Sequence, residues 1–153
     1  MTGGTSTASC IFCDAADPNT EAPLVLYRGT HAFVILNLFP YNNGHLMIVP
    51  RRHIASLAEA NPPELQELIE LTRRAEIVLT DAYAPQGLNI GVNLGKAAGA
   101  GVADHLHIHV VPRWSGDTNF MTVVGTVRVL PETLDATCGR LRPLFDKLAP
   151  PAS

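Results

Sequence analysis

The stretch Asp104-His105-Leu106-His107-Ile108-His109-Val110-Val111-Pro112 places an imidazole at every second position of a short run. Apolar residues fill the positions between, so as a β-strand the run lines one face with His105, His107 and His109 and turns the other into core. Three of the chain's six histidines share that face. Residues i and i+4 of a strand lie about 13 Å apart at roughly 3.3 Å per residue, so one ion does not readily gather all three. A metal held by a neighbouring pair and a solvated histidine face are the competing readings. Imidazole suits nucleophilic, acid–base and oxyanion-binding work near neutral pH. The central ring is flanked on both sides, so His107 is the one placed to attack, with His105 and His109 in support.

A second group with its own chemistry is Cys10 and Cys13, spaced Cys-x-x-Cys in a chain of three cysteines. The odd count does not fit a secretory disulfide framework, and a thioredoxin-like redox pair needs a βαβ context that the flanking residues lack. With histidines available elsewhere, a zinc site is the expectation. Cys138 sits among apolar neighbours on an expected helix, where a buried thiol packs as a small hydrophobe.

Gly95 begins a Gly- and Ala-rich run that leads directly into the histidines. Backbone N–H groups in such a run approach an anion without side-chain obstruction, which makes Ala100, Gly101 and Val102 a candidate phosphate cradle. It is not a P-loop, because Gly-Lys-Ser/Thr is absent. Asn93 either holds a phosphate or leaving-group oxygen or bonds to backbone at a strand end. Trp114, the only Trp, either walls the pocket with a flat face or packs under the last helix or across a dimer.

The elements that must position these groups follow from periodicity. Apolar runs at 24–28 and 31–36, split by Gly29-Thr30, suggest a hairpin, and 45–49 makes a third strand before Pro50. Asn61-Pro62-Pro63-Glu64 announces a helix, with Leu65, Leu68, Thr72, Ala75, Leu79 and Ala82 as its buried stripe and Glu67, Glu70, Arg73 and Arg74 largely outside. Residues 88–94 alternate as a fourth strand, and 121–129 are β-prone. Pro131 opens a last helix with Leu134, Cys138 and Leu141 on one side, which Pro143 should kink or end. Antiparallel strands with two main helices make an α+β fold in one domain over 10–148, with tails at 1–9 and 149–153.

At 153 residues, 46% apolar and a net charge of -3, the chain suits one folded domain and not a general nucleic-acid surface. No run reaches the roughly 18 apolar residues of a membrane span, and the N-terminus lacks a basic start and apolar core, so a cytoplasmic location is expected.

The pattern His-apolar-His-apolar-His followed by two apolar residues resembles the signature of the histidine triad (HIT) family of nucleotide hydrolases and transferases. Asn37, the run Asn43-Gly44-His45-Leu46-Met47-Ile48-Val49-Pro50, His53 and Asn93 extend the likeness over most of residues 10–148. The resemblance implies a HIT-like five-stranded sheet, a homodimer joined through a helix and a strand about a two-fold axis, a ribose contact at Asn37, and the nucleophile at His107. That histidine would attack the α-phosphorus of a nucleotide, and water or phosphate would resolve the nucleotidyl-histidine. His109 and the Ala100-Gly101-Val102 backbone would steady the charge, so this chemistry requires no metal. The run from Asn89 to Gly95, the triad, and Pro112-Arg113-Trp114 with Gly116, Asp117, Asn119 and Phe120 look most like the diadenosine tetraphosphate phosphorylase branch. A purine nucleoside phosphoramidate hydrolase and a non-catalytic nucleotide-binding or sensing module are the alternatives. Zinc-bearing bacterial members resemble this chain at Cys10, Cys13, His53 and His105, which implies a structural zinc at the first triad histidine. His31 and His45 are competing imidazoles, and His45 fits better beside the catalytic face.

Overall fold

The computed structural model describes residues 10–100, 104–117 and 132–148; the expected tails and the β-prone stretch at 121–129 lie outside the described residues. In chain order the elements are α1 (Ile11–Ala16), β1 (Val25–Arg28), β2 (Ala32–Leu36), β3 (Leu46–Pro50), α2 (Pro62–Tyr83), β4 (Gly87–Val92), β5 (Ile108–Arg113) and α3 (Leu134–Leu148). Short 3-10 turns occupy Leu57–Glu59 and Lys96–Ala98. The strands form one antiparallel five-stranded sheet in the order β1-β2-β3-β5-β4, and the class is α+β. β5 therefore lies between β3 and β4, with His109 opposite Met47 on one side and Gly91 on the other.

Strand alternation sorts the core into two layers. Val34, Leu36, Leu46, Ile48, Ile108 and Val110 face α2 and α3, whose Leu68, Leu71, Leu79, Leu141 and Phe145 are fully buried against them. Each such side chain contributes about 1.5–3 kcal/mol by leaving water. Phe33, Met47 and Val49 point to the opposite face, where α1 covers them with Phe12, Ala15 and Ala16. His109 pairs with Met47 in register, so the triad shares the face that α1 covers.

The helix start at Asn61 is a full capping box: its side chain accepts from the Glu64 N–H, and Glu64 accepts from the Asn61 N–H. Several expectations change. On α2, Leu71 and Val78 join the buried stripe while Leu65 stays 37% exposed, because the helix turns its 64-68-71-75-78 line to the sheet. Two of its charged residues are not simply solvated. Arg74 is buried over the Tyr27 ring, and Glu67 accepts the His31 and Ala32 N–H groups at 2.8 Å each, closing the β1–β2 hairpin. A Cβ on Gly29 would collide with that carboxylate. α3 runs through Pro143, because Leu141 and Phe145 on either side of it are anchored in the core and Arg142 bonds the Pro23 and Val25 carbonyls. The strand expected from Asp104 begins at Ile108: the Leu106 N–H donates to the Ile54 carbonyl at 2.7 Å, outside the ladder. His105 and His107 thus sit on the approach to β5, and His109 sits within it.

Candidate active site and metal centre

α1 is the short helix that begins at the Cys-x-x-Cys pair. Cys10 is its N-cap, its sulfur accepting the Cys13 N–H, so one tight turn presents both sulfurs together. Opposite them stand His53, just beyond β3, and His105. The ligating atoms of Cys10, Cys13, His53 and His105 all lie within 4.8 Å of one another. The Nδ1 of His105 is 3.3 Å from the Cys10 sulfur and 3.2 Å from the His53 Nδ1, which is itself 3.1 Å from the Cys13 sulfur. A tetrahedral ion with bonds of about 2.0–2.3 Å sets neighbouring donors roughly 3.3–3.8 Å apart, so these four fit one ion closely.

The orientation of His105 supports that fit. Its Nε2–H donates to the Pro50 carbonyl at 2.8 Å, which leaves Nδ1 bare and facing the sulfurs. Burial first, then the charges of His53 and His107, hold its pKa below the ordinary imidazole value, and a ligand must be neutral. Burial also pushes the Cys13 thiol up to about 12, with Cys10 and Asp14 adding to the effect. A thiol raised in this way ionises readily only beside a cation.

His107 is 4% exposed, and its Nδ1–H donates to the His105 carbonyl at 2.9 Å. A neutral imidazole carries one proton, so its Nε2 keeps a free lone pair. Phe12, between the two cysteines on α1, packs on both rings, with centroids 5.1 Å from His107 and 5.4 Å from His105. The residues that could hold an ion and the central histidine therefore share one aromatic wedge, which sequence reasoning missed. Its only sequence signal was an apolar residue inside the Cys-x-x-Cys.

At the other end, the Tyr41 N–H donates to His45 Nδ1 at 3.0 Å. A backbone amide can only donate, so His45 carries its proton on Nε2, which lies 3.0 Å from His109 Nδ1. His109 in turn carries its proton on Nε2. The amide nitrogen of Asn37, 3.3 Å from His45 Nε2, is the longer neighbour of this chain, and its oxygen accepts the Phe39 N–H. Burial first, then the charges of His109 and His107, pull the His45 pKa down to about 4, and His109 is lowered by burial and His107. Both rings are thus neutral near pH 7.

The remaining predicted residues are more dispersed. Asn93 is exposed, with its amide nitrogen beside Gly99. The Ala100 N–H donates to the Gly95 carbonyl, while Gly101 and Val102 lie outside the described residues. Trp114 stands edge-on to Tyr83 with centroids 6.5 Å apart, at the far end of β5 from His107. Cys138 is buried with its thiol on the Pro23 carbonyl.

Residues 19–116 match the family described as HIT domain. The chain is 45% identical over 129 residues to AP-4-A phosphorylase of Mycobacterium tuberculosis, covering 80% of this chain and 66% of that protein, just under two thirds of its length. It is 32% identical over 93 residues to the asymmetrical bis(5'-nucleosyl)-tetraphosphatase of Schizosaccharomyces pombe, covering 61% of this chain and 50% of that protein. A zinc-bound histidine triad family protein from Mycobacterium smegmatis superimposes with a TM-score of 0.73 at 27% identity, covering 93% of this chain and 96% of the other. The family match spans most of the chain and includes the histidine run and the strands that carry it, and the chain belongs to the HIT domain family.

Proposed function

We propose that this chain cleaves a dinucleoside polyphosphate of the diadenosine tetraphosphate type at an α-phosphate, through a nucleotide carried on His107. The observation that supports this most is the ring orientation of His107, buried, with Nδ1–H on a carbonyl and Nε2 bare. The Nε2 lone pair forms a bond to the α-phosphorus, and the phosphorus–oxygen bond to the distal chain breaks with its electron pair leaving on oxygen as ATP. An oxygen of inorganic phosphate or of water then bonds the phosphorus, the phosphorus–nitrogen pair returns to His107, and ADP or AMP departs. Negative charge gathers on the α-phosphate oxygens, where the His109 Nε2–H and the backbone of Ala100, Gly101 and Val102 are the donors we assign, the Ala100 N–H by turning from the Gly95 carbonyl that it meets in this structure. Asn37 is assigned to a ribose hydroxyl and Asn93 to a phosphate oxygen, while Trp114, edge-on to Tyr83 at the far end of β5, takes the packing role. The likeness to AP-4-A phosphorylase supports the substrate class.

Two thiolates with two imidazoles suit zinc, and Cys10, Cys13, His53 and His105 would hold it. With four ligands from the protein, it would supply a cross-link between α1 and the sheet. A second copy paired along β4 would cover Ile90 and the exposed Ile69 and Ile77 of α2, beside a cavity of about 360 Å³ lined by Glu76, Thr80, Pro85, Gly87, Leu88 and Ile90. Light scattering at twice the chain mass is the expected result. No helix among the described residues is long and apolar enough to cross a membrane, and a reducing cytoplasm would keep both site cysteines as thiols.

The test is diadenosine tetraphosphate with and without inorganic phosphate. ADP with ATP marks phosphorolysis, and AMP with ATP marks asymmetric hydrolysis. An adenosine phosphoramidate turned over faster than the dinucleotide overturns the substrate assignment.

A further inference from the structure

The segment that supplies the Tyr41 N–H has little core of its own. Leu38 is 57% exposed, Phe39 82% and Tyr41 55%, so apolar burial does not hold this backbone in place. Local bonds close the turn, with the His45 N–H on the Asn42 carbonyl and the Phe39 N–H on the Asn37 side chain, and a polar clamp reaching over from the end of β5 fixes it to the sheet. The Asp117 carboxylate accepts two bonds from the Arg113 guanidinium, at 2.7 and 2.8 Å, and one from the Trp114 N–H at 3.0 Å. The side-chain amide of Asn42 donates to the same carboxylate and to the Pro112 carbonyl, both at 2.9 Å. Arg113 also lies over the Tyr41 ring, 4.9 Å from its centroid, and is braced by Asn89 at 2.6 Å. Asn42 directly, and Tyr41 through the Arg113 guanidinium, are therefore tied to one carboxylate, whose side chain is 6% exposed.

The consequence runs through proton bookkeeping on two rings. With the Tyr41 N–H in place, a proton on His45 Nδ1 would face another donor, so His45 takes the Nε2–H form and His109 must then accept at Nδ1. If the segment drifts away, His45 Nδ1 meets water, both tautomers become accessible, and His109 need no longer carry its proton on Nε2. We propose that Asp117 is a positioning residue: through Arg113 and Asn42 it holds the Tyr41 N–H on His45, and so keeps His109 in the tautomer that donates from Nε2 toward the reacting phosphate. This gives the Arg113-Trp114-Ser115-Gly116-Asp117 run a task distinct from contact with substrate, and it rests on the reading of His109 as a donor in the proposed reaction.

The test reads tautomers directly, by nitrogen-15 spectra of the imidazoles of the full chain without substrate above neutral pH. In the unaltered protein His45 and His109 should both appear as Nε2–H forms. Asp117→Ala should give mixed tautomers at both rings, with kcat lowered about tenfold, a smaller loss than removing a donor outright, and KM changed less than about twofold. Asp117→Asn, which keeps an acceptor for the Trp114 N–H and Asn42, should restore part of the kcat and most of the tautomer order. If Asp117→Ala does not fold, Asn42→Ala, which cuts only the tie to the exposed segment, carries the same expectations. A folded variant whose His109 remains wholly in the Nε2–H form, or whose kcat is unchanged, overturns the proposal. An unaltered protein that turns over no dinucleotide refutes the proposed activity instead, and the spectra still decide whether Asp117 sets the tautomer.

Discussion

His105 and His109 stand at equal spacing on either side of His107, yet their rings are set in opposite ways. His105 gives its Nε2–H to the Pro50 carbonyl and shows a bare Nδ1 to two sulfurs. His109 accepts a hydrogen bond at Nδ1 from His45 Nε2–H and keeps its own Nε2–H for whatever lies in front of it. One is fully buried among the residues that could hold a metal, and the other is half-buried with a hydrogen to offer. The residue type is the same, and the role follows from which partner occupies the other ring nitrogen. The same logic covers His107, whose Nδ1–H on the His105 carbonyl leaves the lone pair on Nε2.

Replacing residues along this run tests the contrast, and the centre should respond most. His107→Ala removes the atom that bonds phosphorus in the proposed route, so turnover should fall on the order of a thousandfold or more while nucleotide binding survives. Near-normal rates in steady-state assays of that variant would sink the covalent route. The two outer histidines should then separate. His109→Ala should cost about a hundredfold in kcat, as for one oxyanion donor, with bound metal and melting temperature little changed. His105→Ala should release the metal and lower the melting temperature. Equal metal content in the two variants would erase the distinction drawn here.

A smaller effect on catalysis is expected from the far side of the metal centre. The Cys10→Ser, Cys13→Ser double variant should lose about one zinc per chain, read by elemental analysis of untagged protein, and melt at lower temperature. Its kcat should fall less than that of His109→Ala, because the His105 carbonyl and the Phe12 wedge still hold His107. Stoichiometric zinc retained in this variant would point to a different ligand set.

Much of this was visible in the chain beforehand, because alternation of apolar residues and histidines is a side-chain pattern and strands translate it directly into faces. The five strands, both main helices and the capping box at Asn61 were readable for the same reason. What could not be read was the tautomer of each ring, since the groups that set it are the Pro50 and His105 carbonyls and the Tyr41 N–H, and backbone groups leave no mark in a sequence. α1 escaped because six residues hold too little periodicity, and its start is capped by a sulfur instead of an oxygen. Pro143 and Leu65 misled for another reason: which way a helix turns and whether a proline breaks it depend on the sheet underneath.

The smallest expected effect concerns acid. Burial and neighbouring imidazoles hold His45 at about 4 and lower His109, while an unfolded chain titrates its histidines near about 6.5. Between those values the unfolded state binds more protons than the folded one, so stability is complete above about 6.5 and is lost as pH falls toward 4. The strongly held carboxylates act lower down: Arg52 and the Asn61 N–H keep Glu64 at about 2, and Arg113 keeps Asp117 well below the usual range, so their contributions fade mainly below about pH 4.5. Melting temperatures recorded from pH 7 to 5 therefore report chiefly on histidines and on the metal centre. His45→Gln leaves the metal centre intact and removes one depressed imidazole, so its melting temperature should fall less steeply across that interval than that of the unaltered protein. His53→Gln should instead lose metal at every pH. Parallel pH slopes for His45→Gln and the unaltered protein would mean that His45 titrates normally, and the relay end of the triad would then be no more enclosed than open solvent.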